Sequence, residues 1–235
     1  HLPRYAPLAA RMPALFAARD RIPGLAALTE RVLGLSARRT LPRFSPDPFN
    51  PVREDSPARA ESGAREVVLW TDTFNTYFEP ENARAALRVL AAGGYRVHLA
   101  RSLDGGRPLC CGRTYLAAGM VAEARAEAGR LLAALAPFAR RGVPIVGLEP
   151  SCLLGLRDEI PVLLPGGESK ALASRALLFE EFLASEAEAG RLALPLKPLA
   201  RRALLHPHCH QKAFGVVGAV ERTLRLVPSL DVQTI

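Results

Sequence analysis

From residue 66 onward, short apolar segments alternate with amphipathic helical segments, and this alternation limits the fold more than any other feature of the sequence. The sequence lacks hairpin turn signals between one apolar segment and the next. We therefore predict an α/β fold with a mainly parallel sheet flanked by helices. The predicted strands are 66–70, 95–100, 143–148, 203–206 and 232–235, and the predicted helices are 80–92, 115–141, 169–189 and 211–226.

The residues before 66 have a different composition. Residues 1–41 contain short amphipathic helices separated by prolines, and we interpret them as a helical connector. Residues 42–65 are rich in Pro, Ser and Arg, which predicts a weakly packed linker. The third part, 66–235, is the predicted cysteine-rich α/β domain. Its last predicted strand begins just before the chain ends, so we expect this domain to be incomplete at its C-terminus.

The net charge of +8 is concentrated near the N-terminus. The first sixty residues hold ten Arg and five Asp or Glu, which accounts for +5 of the total. Aromatic residues are few and do not alternate with the basic ones, so we do not expect nucleic acid as a partner. We expect the basic segment to contact a neighbouring domain of the parent protein. The longest apolar runs fall short of the ~20 residues that a membrane-spanning helix needs.

The chain has four cysteines, which are too few for a secreted disulfide scaffold of this length. Cys110 and Cys111 are adjacent, and neighbouring Cα atoms lie ~3.8 Å apart, closer than the ~4.4–6.8 Å usual for a disulfide. The pair is therefore expected to consist of reduced thiols or metal ligands. Both states agree with a reducing cytoplasm.

The cysteines follow predicted strands. Cys110 and Cys111 come after the second strand, Cys152 after the third and Cys209 after the fourth. Ligands of open α/β sheets bind beyond the carboxyl ends of the strands. We therefore predict that these thiols, together with Thr73 after the first strand, line one crevice on the same edge of the sheet. Helix N-termini also favour the thiolate form, which binds metals.

Three motifs carry the candidate ligands: Leu-Cys-Cys-Gly at 109–112, Glu-Pro-Ser-Cys at 149–152 and His-Pro-His-Cys-His at 206–210. Gly112 lets the backbone approach a bulky group closely. His208 and His210 flank Cys209 and are candidate metal ligands, whereas His98 lies inside a predicted strand and is interpreted as structural.

The residues leave three interpretations open. A structural zinc site could use Cys152, His208, Cys209 and His210, but zinc sites usually contain short pairs such as C-x-x-C, which this chain lacks. A metal-free thiol–disulfide enzyme could use Cys110 or Cys111. An iron–sulfur cluster has several irons, so two adjacent thiolates can bind different metal atoms, and the Cys-Cys pair favours this third interpretation.

The three motifs resemble the cysteine-rich CCG domain. This domain occurs in one of the heterodisulfide reductase subunits and in iron–sulfur subunits of glycolate, lactate and anaerobic glycerol-3-phosphate dehydrogenases. Residues 66–235 are most similar to the C-terminal part of bacterial proteins that fuse an FAD-linked oxidase, a ferredoxin-like segment and this domain. Residues 1–60 resemble the connector that follows the ferredoxin-like segment.

The resemblance implies an iron–sulfur electron-transfer module of a flavin-linked 2-hydroxy acid dehydrogenase of the glycolate, lactate or 2-hydroxyglutarate type. It implies a 4Fe-4S cluster in the intact protein, FAD on a separate domain or subunit, and a ferredoxin-like partner domain. The ligands would be Cys110, Cys111, Cys152 and Cys209, with Gly112 beside them. The implied location is the cytoplasm, including the inner face of the cell membrane through the complex.

The sequence departs from the family pattern at two positions. Thr73 stands where the family has its first lone cysteine, and Glu149 stands where it has the first cysteine of C-x-x-C. Cys209 matches the lone cysteine that opens a second repeat, whose Cys-Cys-Gly would follow Ile235. Because a partial ligand set binds metal weakly, we expect this chain alone to be largely free of iron, with partly exposed thiols at 110, 111 and 209.

Overall fold

The computed structural model describes residues 2–54 and 63–235, which form fourteen helices and six strands. The strands are β1 (Glu66–Trp70), β2 (Arg96–Leu99), β3 (Ile145–Gly147), β4 (Ala176–Leu178), β5 (Arg201–Leu205) and β6 (Leu230–Thr234). The helices are α1 (Leu2–Ala9), α2 (Pro13–Arg21), α3 (Leu25–Leu33), α4 (Pro51–Glu54), α5 (Thr73–Tyr77), α6 (Pro80–Ala92), α7 (Arg113–Leu116), α8 (Val121–Arg140), α9 (Pro150–Leu154), α10 (Glu159–Leu163), α11 (Gly167–Arg175), α12 (Phe179–Glu188), α13 (Cys209–Ala213) and α14 (Val217–Arg225).

The strands form two parallel sheets. The larger sheet has four strands in the order β2-β1-β3-β4, and the smaller one pairs β5 with β6. This arrangement confirms the predicted α/β fold with a parallel sheet flanked by helices. It also corrects the expectation of one continuous sheet, because β5 and β6 form a separate pair.

The four-stranded sheet separates two helical layers, and the sequence of β1 shows why. Val68 and Trp70 face one side, where they share a buried cluster with Leu131 of α8. Val67 and Leu69 face the other side, where residues of α6 and α12 cover them. A strand that is buried on both faces consists of consecutive apolar residues instead of alternating ones. The core therefore lies on both sides of the sheet.

Strand β4 contradicts the predicted helix 169–189, a segment composed mostly of helix formers. In the structure, Ala176 and Leu178 are buried beside β3. The Arg157 Nε donates to the Ala176 carbonyl at 2.8 Å, and Glu181 accepts from the Leu178 amide at 2.9 Å. Pairing with a buried strand thus overrides local helix propensity.

Two predicted helices are each divided by a glycine with a left-handed backbone. The predicted helix 115–141 is split into α7 and α8 before Met120, where Gly119 has φ +72°. The predicted helix 211–226 is split into α13 and α14, where Gly215 has φ +67°. Left-handed residues do not continue a right-handed helix, and glycine adopts this conformation at little cost.

The segment before β1 packs more closely than predicted. The Ser45 amide donates to the Tyr77 carbonyl at 2.7 Å, the Phe49 amide donates to the Thr76 carbonyl at 2.9 Å, and Phe49 is buried. Ala6 of α1 joins Tyr77 in a small buried cluster. The expectation of weak packing is therefore wrong for residues 44–49, while residues 55–62 of the predicted linker lie outside the described part of the chain. The boundaries of the predicted connector and linker, at residues 41 and 65, stay predictions.

No helix among the described residues combines the length and the apolar character needed to cross a bilayer.

A buried carboxylate, that of Glu186, links the end of α12 to the start of β1. Its contacts make the stability of the fold depend on pH. Glu186 pairs with Arg65, accepts from the Tyr95 hydroxyl at 2.6 Å, and pairs with Arg191 at 2.5 Å. Burial raises the pKa of Glu186, but the hydrogen bonds from Arg191 and Tyr95 and the charge of Arg65 together outweigh it, so the net shift is downward. The stabilisation is thus present above the ordinary glutamate pKa of about 4.3 and is lost as pH falls through the lowered value.

We expect Glu186→Gln to lower the free energy of unfolding at pH 7 by about 1–2 kcal/mol, since charged hydrogen bonds are lost next to exposed arginines. Denaturant unfolding from pH 7 to pH 3 should show this difference shrinking with acidity. Glu188→Gln is the control, because the Glu188–Arg222 pair is exposed on both sides and contributes little. A difference that stays constant with pH would contradict the assignment.

Candidate metal centre

Three buried thiols and one hydroxyl meet beyond the carboxyl ends of neighbouring strands. Thr73 begins α5 after β1, Cys110 and Cys111 lie in the loop between β2 and α7, and Cys152 lies in α9 after β3. Because β2, β1 and β3 are adjacent and parallel, their carboxyl ends bring these loops together. The structure confirms that these four residues share one crevice.

The crevice is a small cavity of about 210 Å³. Cys111 and Cys152 are in contact, with their sulfur atoms 3.0 Å apart, and the Gly112 amide donates to the Cys110 sulfur at 3.4 Å. All three cysteines of the cavity are free and buried, so the expectation of partly exposed thiols at 110 and 111 is wrong. The cavity is lined by Thr73, Phe74, Cys110, Cys111, Arg113, Thr114, Ala117, Ser151 and Cys152.

The surroundings of the three thiols favour their protonated form. A hydrogen bond with Cys111, followed by burial, raises the pKa of Cys110. The hydrogen bond with Cys110 lowers the pKa of Cys111, but the bond to Cys152 and burial raise it well above its usual value. The bond to Cys111 lowers the pKa of Cys152, while burial and the charges of Asp72 and Glu149 raise it to about 11. The expected preference for thiolates at helix N-termini is therefore wrong here, because burial dominates.

Two carboxylates beside the cavity were not predicted as part of the site. Asp72 caps α5, accepting from the Phe74 amide at 2.8 Å and from the Asn75 side chain at 2.6 Å. Glu149 caps α9 and accepts from the Ser151 amide at 3.3 Å. Asp is a preferred N-cap residue and Glu is not, so the signal for Asp72 was present in the sequence and that for Glu149 was not.

Gly112 shapes the cavity by allowing two backbone segments to meet. Its φ is +83°, and a Cβ atom at this position would lie 2.8 Å from the Ala124 carbonyl oxygen. A larger residue would therefore be strained in its own backbone and would also push α8 away. The close approach that Gly112 allows in the structure is to the backbone of α8 at Ala124.

We expect Gly112→Ala to lower the free energy of unfolding by about 2–4 kcal/mol, from left-handed strain and overpacking together. Gly119→Ala is the matched control: Gly119 also has a positive φ, +72°, but has open space around its Cβ position. The control should lose only about 1–2 kcal/mol in the same denaturant titration. Equal losses in the two variants would show that the contact with Ala124 contributes nothing.

Cys209 lies outside this cavity. It begins α13 after β5, in the separate two-stranded sheet, and its side chain is exposed. The prediction that it lines the same crevice, on the same sheet edge, is therefore wrong. Helix α13 nevertheless packs against α9, which carries Cys152. His208 and His210 flank Cys209, and one ligand atom from each of the three residues lies within 4.8 Å of the other two.

His98 lies on β2, with its Nε2 3.3 Å from a carboxylate oxygen of Glu66 and its ring 5.2 Å from that of Phe138. These contacts agree with the structural role predicted for it.

Three residues that line the cavity are of the type that binds an iron–sulfur cluster. Such clusters are held by cysteine thiolates, commonly four. Cys110, Cys111 and Cys152 supply three, and the buried Thr73 lines the same cavity, where a fourth ligand would be needed. Protons must leave the thiols when a metal binds, because only the thiolate is a ligand.

Comparison with known proteins finds similarity to parts of two kinds of dehydrogenase. The chain is 28% identical over 195 residues to one of the anaerobic glycerol-3-phosphate dehydrogenase subunits of Escherichia coli, in strains K12 and O157:H7, covering 83% of this chain and 48% of the relative. It is 36% identical over 132 residues to D-2-hydroxyglutarate dehydrogenase of Pseudomonas putida KT2440, covering 56% of this chain and 12% of the relative. The chain is similar to parts of dehydrogenases.

The chain spans about half the length of the glycerol-3-phosphate dehydrogenase subunits and a smaller share of the hydroxyglutarate enzyme. No protein-family model matches the chain, and no solved structure is similar to it.

Proposed function

We propose that this chain is the iron–sulfur electron-transfer part of a flavin-linked 2-hydroxy acid dehydrogenase of the glycolate, lactate or 2-hydroxyglutarate type. The observation that carries the proposal is the meeting of Cys110, Cys111 and Cys152 in one buried cavity. The similarity to a D-2-hydroxyglutarate dehydrogenase and to part of a glycerol-3-phosphate dehydrogenase supports it.

Each residue of the cavity has a distinct part in this proposal. The three thiolates would hold the cluster, with the Gly112 amide directed at the Cys110 sulfur. A bound cluster would accept and release single electrons, at a potential tuned by hydrogen bonds to sulfur and by burial. Asp72 and Glu149 lie beside the ligands, where negative charge would favour the oxidised state of a bound redox group.

The rest of the electron path would lie outside this chain. The sequence carries neither a Rossmann glycine fingerprint nor a P-loop, so we place FAD on a separate domain or subunit. The flavin there would remove hydride from the 2-hydroxy acid, and single electrons would pass through a ferredoxin-like domain and this domain. The proposal places this assembly in the cytoplasm or, through the complex, on the inner face of the cell membrane.

The two alternatives are a metal-free thiol–disulfide enzyme and a zinc-binding role. The structure argues against the first, and one observation favours the second. A metal-free thiol–disulfide enzyme needs a nucleophilic thiolate, and the raised pKa values of Cys110, Cys111 and Cys152 work against it. A zinc-binding role is favoured by one observation, the grouping of His208, Cys209 and His210. Zinc at that group does not conflict with a cluster in the buried cavity, because the two sets share no residue.

Anaerobic reconstitution tests the proposed function. The chain is incubated with ferrous iron, sulfide and reductant, freed of excess reagents, and assayed for iron, zinc and acid-labile sulfide. The expected result is low occupancy, because the cavity supplies three of the four usual ligands, with iron and sulfide in similar amounts and an electron paramagnetic resonance signal that appears and disappears on reduction and reoxidation. Absence of acid-labile sulfide would contradict the electron-transfer proposal, whether or not zinc is bound at the His208 group.

A further inference from the structure

We infer that His208, Cys209 and His210 form a second metal site, separate from the buried thiols, that binds one divalent cation of the zinc class. The group lies in the turn between β5 and α13, and its three ligand atoms come within 4.8 Å of one another. This inference does not depend on the proposed electron-transfer function.

The distances are close to those that a tetrahedral ion requires. The Cys209 sulfur lies 3.8 Å from the His208 Nδ1 and 4.0 Å from the His210 Nδ1. Zinc–sulfur and zinc–nitrogen bonds of about 2.3 Å and 2.0–2.1 Å at tetrahedral angles separate the two donor atoms by about 3.6 Å. The two imidazoles would have to rotate out of their stacked arrangement for all three donors to reach one ion.

The local backbone holds the two imidazoles side by side. The His208 amide donates to the Gln211 side-chain oxygen at 2.9 Å, and the His210 amide donates to the His208 Nδ1 at 3.2 Å. The rings of His208 and His210 are stacked, with centroids 5.5 Å apart and an interplanar angle of 11°. Metal binding through the His208 Nδ1 would use the lone pair that accepts this hydrogen bond, so the ion would replace the contact with the His210 amide.

The donor set selects the class of ion. Two imidazoles and one thiolate suit Zn²⁺ and related borderline cations, whereas iron–sulfur clusters are held mainly by thiolates. Three protein ligands leave a fourth position, and the exposure of Cys209 makes that position accessible to water or to another ligand. Cys209 thus has different chemistry from the three buried cysteines, although α13 packs against α9.

Titration of the whole chain with Co²⁺, a spectroscopic substitute for Zn²⁺, tests the inference. A thiolate-to-cobalt absorption band that saturates at one equivalent and is displaced by Zn²⁺ is expected. Cys209→Ser should abolish this band. His208→Asn, which keeps a side chain able to cap α13, and His210→Ala should each weaken binding at least about tenfold.

Two control variants make the outcome decisive. His206→Ala removes a neighbouring histidine outside the group and should leave the titration unchanged. Cys152→Ser removes a buried thiol and should also leave it unchanged. A band that survives Cys209→Ser or disappears in Cys152→Ser would show that cobalt binds the buried cavity instead, and this would overturn the inference. The iron and sulfide assay of the reconstituted chain is independent of this result, so failure of one proposal does not imply failure of the other.

Discussion

Cys111→Ser should lower the iron and acid-labile sulfide bound after anaerobic reconstitution at least about tenfold. Cys111 contacts Cys152 and lines the cavity with Cys110, so its loss leaves two thiols. Removing only a hydrogen-bonding partner of a metal ligand costs about 10–100-fold in affinity, and removing the ligand itself costs at least as much. Serine is close to cysteine in size, so the cavity should keep its shape.

His98→Ala is the control for this experiment, because His98 does not line the cavity. Its iron and sulfide content should equal that of the unaltered chain under the same reconstitution. Circular dichroism of both variants should match the unaltered chain, which would show that the loss in Cys111→Ser is a loss of ligand and not of fold. Unchanged iron content in Cys111→Ser would exclude the buried cavity as the cluster site.

Much of the sheet and the buried part of the site could be predicted from the sequence. Strand β1 is a run of apolar residues buried on both faces, and such runs identify the central strands of a parallel sheet. Once the strands are parallel, the residues that follow them share one edge. This is why Thr73, Cys110, Cys111 and Cys152 could be placed together although up to 79 positions separate them.

The errors have local physical causes. Strand β4 has the composition of a helix and is extended only because β3 offers it a pairing edge. Cys209 follows a strand as predicted, but sequence alone does not tell which sheet a strand joins, and β5 pairs with β6. The pKa of Cys152 depends on its hydrogen bond with Cys111, on burial and on Asp72, which come together only in the folded chain. Long-range strand pairing and burial are therefore the features that could not be predicted from the local sequence pattern.

Thr73 offers a test in which function is gained. It is buried, and it lines the cavity together with the three cysteines. A cysteine at this position would complete a set of four thiols, the number that commonly holds an iron–sulfur cluster. Thr73→Cys should therefore bind a cluster more tightly than the unaltered chain. Thr76→Cys is the matched control, since Thr76 is a buried residue of the same helix that does not line the cavity.

The most direct measurement is the iron and acid-labile sulfide content of Thr73→Cys, Thr76→Cys and the unaltered chain after identical anaerobic reconstitution and removal of excess reagents. Our account predicts a several-fold higher content of both in Thr73→Cys, with a reversible paramagnetic signal on reduction, and no increase in Thr76→Cys. Equal content in the two variants, or the absence of acid-labile sulfide from Thr73→Cys, would contradict the claim that the buried thiols form a cluster site.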